Sequence, residues 1–248
     1  MRLGQISAFV ILALVIVVLV YITQPGMLTR PAEHAILAPS GASITLRTYA
    51  ENCLSQTSIE GVREFGLTGG LPQPSLYAPS VFVNGRFVAT YRQGPMLLKL
   101  LLSTYEGYLA EYIALNFVDC IESYPNTAFV NLPLPDVSVD IDTGIRIRAV
   151  MPLQITDDTR TFVLSDPYEE RINLDVRPFI IAAQTWAADE QEHGNPDLFM
   201  LADYESQGWI PTFIRWDTKN HVILIQDPSR LLNGKPFAFQ FATTEERI

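Results

Sequence analysis

The most continuous apolar stretch opens the chain: residues 6–22 read I-S-A-F-V-I-L-A-L-V-I-V-V-L-V-Y-I, uncharged, with polar side-chain groups only on Ser7 and Tyr21. As a helix rising about 1.5 Å per residue, this stretch reaches roughly 25 Å, close to the hydrocarbon core of about 30 Å. Tyr21 suits the interface at its end. The run is longer than the apolar part of a secretory signal, and Thr23-Gln24-Pro25-Gly26 lacks a small-x-small cleavage pattern. The pattern therefore predicts an uncleaved transmembrane helix, a membrane anchor over residues 1–22. Residues 23–43, rich in Pro, Gly, Ala and Ser, read as a spacer, and residues 44–248 as one folded domain.

Within the domain the period of the apolar positions changes repeatedly. Ala50, Cys53, Leu54, Val62 and Phe65 recur at helical spacing and are stopped by Gly66 and Gly69-Gly70. Two β-prone runs, residues 80–83 and 86–91, flank Asn84-Gly85, the dipeptide that suits a type I′ hairpin turn. From Met96 to about Ile121, Leu97, Leu101, Tyr105, Leu109, Tyr112, Ile113 and Phe117 mark a second helix, which carries Cys120 at its end. Alternation then predicts strands at 137–141, 145–155, 161–164 and 172–176, helices at 178–190 and 197–207, and strands at 211–216, 221–226 and 237–242. Helices and strands arrive in blocks, so the expected class is α+β: an N-terminal transmembrane helix followed by one mixed antiparallel-sheet and helix domain.

Charge adds an orientation and an exclusion. With 17 Lys+Arg against 27 Asp+Glu the formal net charge is -10, which repels phosphate backbones and disfavours nucleic acid as a partner. Arg2 and the α-amino group precede the apolar run, and Arg30 alone follows it within the spacer, so the N-terminus is expected in the cytoplasm and the domain outside. The expected place is the cell membrane, with residues 6–22 in the lipid bilayer. An oxidising exterior favours a disulfide between the two cysteines, Cys53 and Cys120, although two buried thiols fit the sequence as well.

Candidate chemistry is sparse. His34, His193 and His221 share no motif, and neither H-x-x-x-H nor C-x-x-C spacing for zinc occurs. A G-x-S-x-G elbow is missing as well. Asp140-Ile-Asp142-Thr-Gly144 resembles the start of a calcium loop, but Ile145 and Met151 stand where such a loop needs Gly and Glu, so it reads as a hairpin turn. The acidic runs at 189–192 and 245–246 could bind cations but read as solvated helix and chain ends, and Trp186, Trp209, Trp216 and Tyr204 as core rather than a ligand surface. No catalytic, cofactor-binding or metal-ligating residue is expected.

Two resemblances bear on this reading. Arg2-Leu-Gly4-Gln5-Ile-Ser7 before the apolar run resembles the class III signal of archaeal type IV pilin-like proteins, which implies cleavage after Gly4 and assembly through the apolar helix; Phe9 stands where that family usually has Glu. Gly4-Gln5-Ile6-Ser7, Cys53-Leu54, Gly69-Gly70, Cys120-Ile121 and the G-K-P-F-A-F-Q-F-A run of residues 234–242 are together similar to uncharacterised single-pass membrane proteins of small-genome (DPANN) archaea. That resemblance implies an archaeal envelope protein and supplies no catalytic residues.

The expected function is therefore that of a membrane-anchored cell-envelope protein with an outward-facing interaction or structural domain and an envelope or surface protein as partner. The alternatives are a pilin-like subunit cleaved after Gly4 and an extracytoplasmic enzyme of unknown reaction.

Overall fold

A computed structural model describes residues 39–73, 78–124, 132–157, 160–194 and 197–245. The expected anchor at residues 6–22 lies outside the described residues, and among those described no helix is long and apolar enough to cross a membrane.

Two helices carry the first helical patterns, α1 (Pro39–Leu67) and α2 (Leu102–Glu122). They run antiparallel, because Cys53 meets Cys120 while Phe65 meets Tyr105, with ring centroids 6.1 Å apart. Cys53 and Cys120 are joined in a disulfide, with Cα atoms 5.8 Å apart. The pairing expected from the sequence is thus present, linking buried Cys53 to partly buried Cys120. Tyr49 reinforces the link, its hydroxyl donating to the Cys120 carbonyl at 3.0 Å.

The Asn-Gly hairpin forms as expected: β1 (Ser80–Val83) pairs with β2 (Arg86–Gln93), and Asn84 and Gly85 adopt φ of 49° and 86°, as a type I′ turn requires. A two-residue strand, β3 (Met96–Leu97), returns along β2. Next come β4 (Asp136–Ile141), β5 (Ile145–Val150), β6 (Leu153–Asp157), β7 (Arg160–Leu164) and β8 (Tyr168–Ile172). Helices α3 (Arg177–His193) and α4 (Phe199–Ser206) follow, and then β9 (Ile210–Arg215), β10 (Asn220–Leu232) and β11 (Lys235–Thr244).

The last three strands form an antiparallel meander. β11 then pairs in parallel with β2, giving a mixed sheet ordered β1-β2-β11-β10-β9, with β3 also on β2. β4, β5 and β8 make a separate three-stranded antiparallel sheet, and β6 with β7 a ribbon. The α+β class stands.

One face of the mixed sheet packs on the helices to form part of the main core. Tyr91, Ile223, Ile225, Phe237, Phe239 and Phe241 are buried there against Phe65 of α1 and Phe179 and Trp186 of α3. The approach of α1 is close: a Cβ at Gly66 would lie 2.3 Å from the Ala238 carbonyl oxygen, so only glycine lets the helix end rest on β11. Val83, Val88, Val222 and Ala242 form a second, smaller buried cluster.

Among the boundaries that differ from the sequence reading, β10 runs on to Leu232 rather than ending at 226, and three others change an element. Residues 96–101 are not helical. After Gly94-Pro95 the chain folds back as β3, and the Leu98 amide donates to the Tyr91 carbonyl at 2.8 Å, so sheet pairing replaces the first turns of the expected helix. The strand expected over 145–155 is split at Met151-Pro152, where proline has no amide to continue the ladder. The strand expected at 172–176 lies at Tyr168–Ile172 instead, with Tyr168 and Ile172 buried and Glu169 and Arg171 exposed. The turn reading of Asp140 to Gly144 holds: it joins β4 to β5, and the Asp142 amide donates to the Gly144 carbonyl at 2.9 Å.

Candidate functional site

The apolar stripe of α3 runs through Phe179, Ile180, Ala183, Trp186 and Ala187, and its next position is Glu190. Periodicity therefore carries a carboxylate into the core, where Glu190 is 0% exposed. It also sits in the helix's last turn, four residues before the Gly194 cap whose amide donates to the Glu190 carbonyl at 2.9 Å. Burial and the negative end of the helix dipole both disfavour an anion there. A positive group has to face it.

The sheet provides that group through its register. Across the strands, Arg92 of β2 pairs with Thr243 of β11, which pairs with His221 of β10. Between Ala242 and Thr243 the register shifts, leaving Tyr91 as an extra residue on β2. Such a bulge re-aims neighbouring side chains, and consecutive residues Tyr91 and Arg92 are both buried. Arg92 Nη1 lies 3.1 Å from Glu190 Oε1, and His221 Nδ1 lies 3.5 Å from the same oxygen. Arg92 Nε donates to the Gly94 carbonyl at 3.2 Å, which fixes the guanidinium.

Glu245 completes the group just beyond β11. Its backbone amide donates to the Lys219 carbonyl at 2.7 Å, and its carboxylate lies, with the ligand atoms of Glu190 and His221, in a set all within 4.8 Å of one another. Ordered polar groups this deep are normally satisfied. Here Arg92 Nη1, both oxygens of Glu190, His221 Nδ1 and Thr243 Oγ1 are buried with no aligned hydrogen-bond partner in the protein. The aromatic wall beside them, with Phe213 5.2 Å from the His221 ring, supplies no polar partner.

The histidines are thus not equivalent. His221 enters the buried cluster, His193 is exposed at the surface beside Asp189 at 3.1 Å, and His34 lies outside the described residues. The reading of residues 189–192 as a solvated run is corrected at Glu190: the helical period, not the local charge, decides its surroundings. Glu245, expected at a solvated end, is half-buried. The signal for Glu190 is present in the sequence as the next step of the α3 stripe. The meeting of β2, β10 and β11 beside it depends on a parallel pairing that no local motif announces.

The aromatic reading holds for three of the four residues named: Trp186, Tyr204 and Trp209 are core, whereas Trp216 is 40% exposed. Two buried tyrosines share a polar contact, Tyr91 Oη lying 3.1 Å from Tyr105 Oη, and burial pushes both hydroxyls above the usual tyrosine range, so they remain neutral donors and acceptors.

A second polar surface lies on the open face of the three-stranded sheet. Asp140, Arg146, Arg148, Glu169 and Arg171 line a shallow concavity of 470 Å³ with interleaved charges. Arg146 pairs with Asp140 there, and Arg148 lies 3.9 Å from Glu169. The charges largely cancel among themselves, which distinguishes this face from the buried cluster. No protein-family model, curated protein or solved structure matches the chain.

Proposed function

We propose that this protein is a membrane-anchored component of the cell envelope, held in the bilayer by residues 6–22 and presenting its α+β domain outside the cytoplasm for contact with another envelope or surface protein. The observation that carries the reading is the Cys53–Cys120 disulfide, which ties α1 to α2 across a sequence separation of 67 residues. Such bonds persist in oxidising compartments and are rare where thiols are kept reduced. The uncharged apolar run and the excess of positive charge before it support the orientation. The acidic surface supports a protein partner over a nucleic acid.

The test is made on the chain isolated from native membranes: carbonate extraction, external protease digestion of intact cells, and non-reducing intact mass with N-terminal mapping. The expected result is a carbonate-resistant chain beginning at Met1, cut from outside and carrying no free thiol. Two free thiols, or release by carbonate, overturns the reading. A chain beginning at Gln5 favours the pilin-like alternative, for which Gly4-Gln5 ahead of the apolar run is the motivating observation.

A further inference from the structure

We propose that Glu190, His221 and Glu245 bind one divalent transition-metal ion, with an imidazole and two carboxylates as ligands and zinc as the representative ion. The site is independent of the cellular location. One ligand pair, His221 Nδ1 and Glu190 Oε1, is 3.5 Å apart. Two ligands on a tetrahedral zinc, at bond lengths of about 2.0–2.2 Å, stand roughly 3.4 Å apart. The third ligand, Glu245, is half-buried at the end of β11, with a ligand atom within 4.8 Å of the other two.

The atoms that lack an aligned hydrogen bond favour a metal site over a purely structural ion cluster. Glu190 and His221 are 0% and 4% exposed, and both Glu190 oxygens and His221 Nδ1 lack an aligned protein partner. Polar atoms left unsatisfied in the interior destabilise the fold. A metal ion uses these same atoms as ligands. Two carboxylates against one guanidinium leave the group with a net negative charge when the imidazole is neutral, so it attracts a cation in spite of Arg92. The guanidinium then takes the place of an outer partner, holding a ligating carboxylate by one oxygen. Three protein ligands leave a further position for water or an incoming group. The imidazole favours zinc, copper, iron or nickel over calcium and magnesium, which prefer oxygen alone.

The experiment uses the full, untagged chain in detergent, stripped with a chelator and titrated with zinc by calorimetry, with bound metal counted by mass spectrometry. The expected result is one zinc per chain with a Kd at or below about 10 μM, unaffected by millimolar magnesium or calcium. Glu245→Ala should weaken binding at least about tenfold, His221→Ala should abolish it, and His193→Ala should leave it unchanged. Because His221 is buried and its replacement can unfold the domain, Glu245→Ala with an unchanged circular dichroism spectrum is the deciding variant. Absence of saturable uptake by the wild-type chain overturns the proposal. Uptake that Glu245→Ala leaves intact, or that His193→Ala removes, overturns it as well.

Discussion

Arg146 with Asp140, on the open sheet β4-β5-β8, and Arg92 with Glu190, between α3 and the mixed sheet, are the same chemical pair in opposite surroundings. The side chains of the first are 65% and 55% exposed, those of the second 11% and 0%. In water such a pair gains little, because solvent and salt already stabilise both ions; exposed pairs contribute about 0–1 kcal/mol. In the interior, desolvation opposes folding by several kcal/mol per ion, and mutual attraction has to offset it. The open pairs are therefore dispensable decoration of a sheet held by its ladder and apolar inner face. Neither member of the buried pair can be removed without consequence for the other.

The sharpest way to break this contrast is to remove one buried partner. Arg92→Met leaves Glu190 buried at a helix C-terminus without its guanidinium partner, and should destabilise the domain by about 3–5 kcal/mol in urea unfolding followed by tryptophan fluorescence. Arg92→Met with Glu190→Met should recover most of that loss, since well-packed apolar residues replace buried ion pairs at little cost. A double variant as unstable as the single one would show that packing, not desolvation, governs the site.

A covalent comparison comes next. Cys53→Ala with Cys120→Ala opens a loop whose ends are separated by 67 residues, and the chain-entropy account puts the loss at roughly 4 kcal/mol. The same denaturation experiment checks it, and reduction of the wild-type chain should reproduce the shift. This loss should add to that of Arg92→Met, because the disulfide joins α1 to α2 whereas the ion pair joins α3 to β2.

Asp175 lies between the two extremes, with a side chain 24% exposed beside that of Arg177 at 36%. Partial desolvation pushes its carboxyl up, but hydrogen bonds from the Arg177 Nε at 3.0 Å and backbone amide at 3.1 Å win and hold it below the usual carboxylate range. A carboxylate whose folded value is depressed stabilises the fold above its unfolded value, about 3.9, and loses that stabilisation as pH falls through the folded one. The urea midpoint should therefore fall as pH is lowered below about 4, and Asp175→Asn should flatten part of that slope. An unchanged slope would remove Asp175 from the acid-sensitive set.

What can be read from the sequence follows the range of the interactions involved. The Asn84-Gly85 turn, the helical stripes of α1 and α2 and the turn at Asp142 are local, and each is legible from a few neighbouring residues. The starts of β3 and β8 are not: Met96-Leu97 is drawn from a helical pattern by pairing with β2, and Glu169-Glu170-Arg171 hides the alternation of Tyr168 and Ile172. The disulfide is half legible, since each cysteine can be placed on a helix but their approach cannot. The buried cluster is the least legible. Glu190 follows from its stripe, yet Arg92 and His221 reach it only through the parallel pairing of β2 with β11 and a bulge at Tyr91.

The smallest expected effect tests the exposed half of the contrast. Arg148 and Glu169 are cross-strand neighbours in the β5–β8 register, with side chains 59% and 73% exposed and the charged atoms 3.9 Å apart. At that exposure the pair trades two well-hydrated ions for one loose contact, and ordering both side chains consumes much of the gain. A double-mutant cycle with Arg148→Ala and Glu169→Ala should give a coupling below about 0.5 kcal/mol at physiological salt. The coupling should grow when salt is lowered, because the screening length lengthens from about 8 Å toward about 30 Å. A coupling above about 1.5 kcal/mol that ignores salt would mean that the open sheet shields its charges as the core does. Exposure would then no longer separate the two classes of ion pair, and the stability assigned to Arg92 and Glu190 would have to come from their packing.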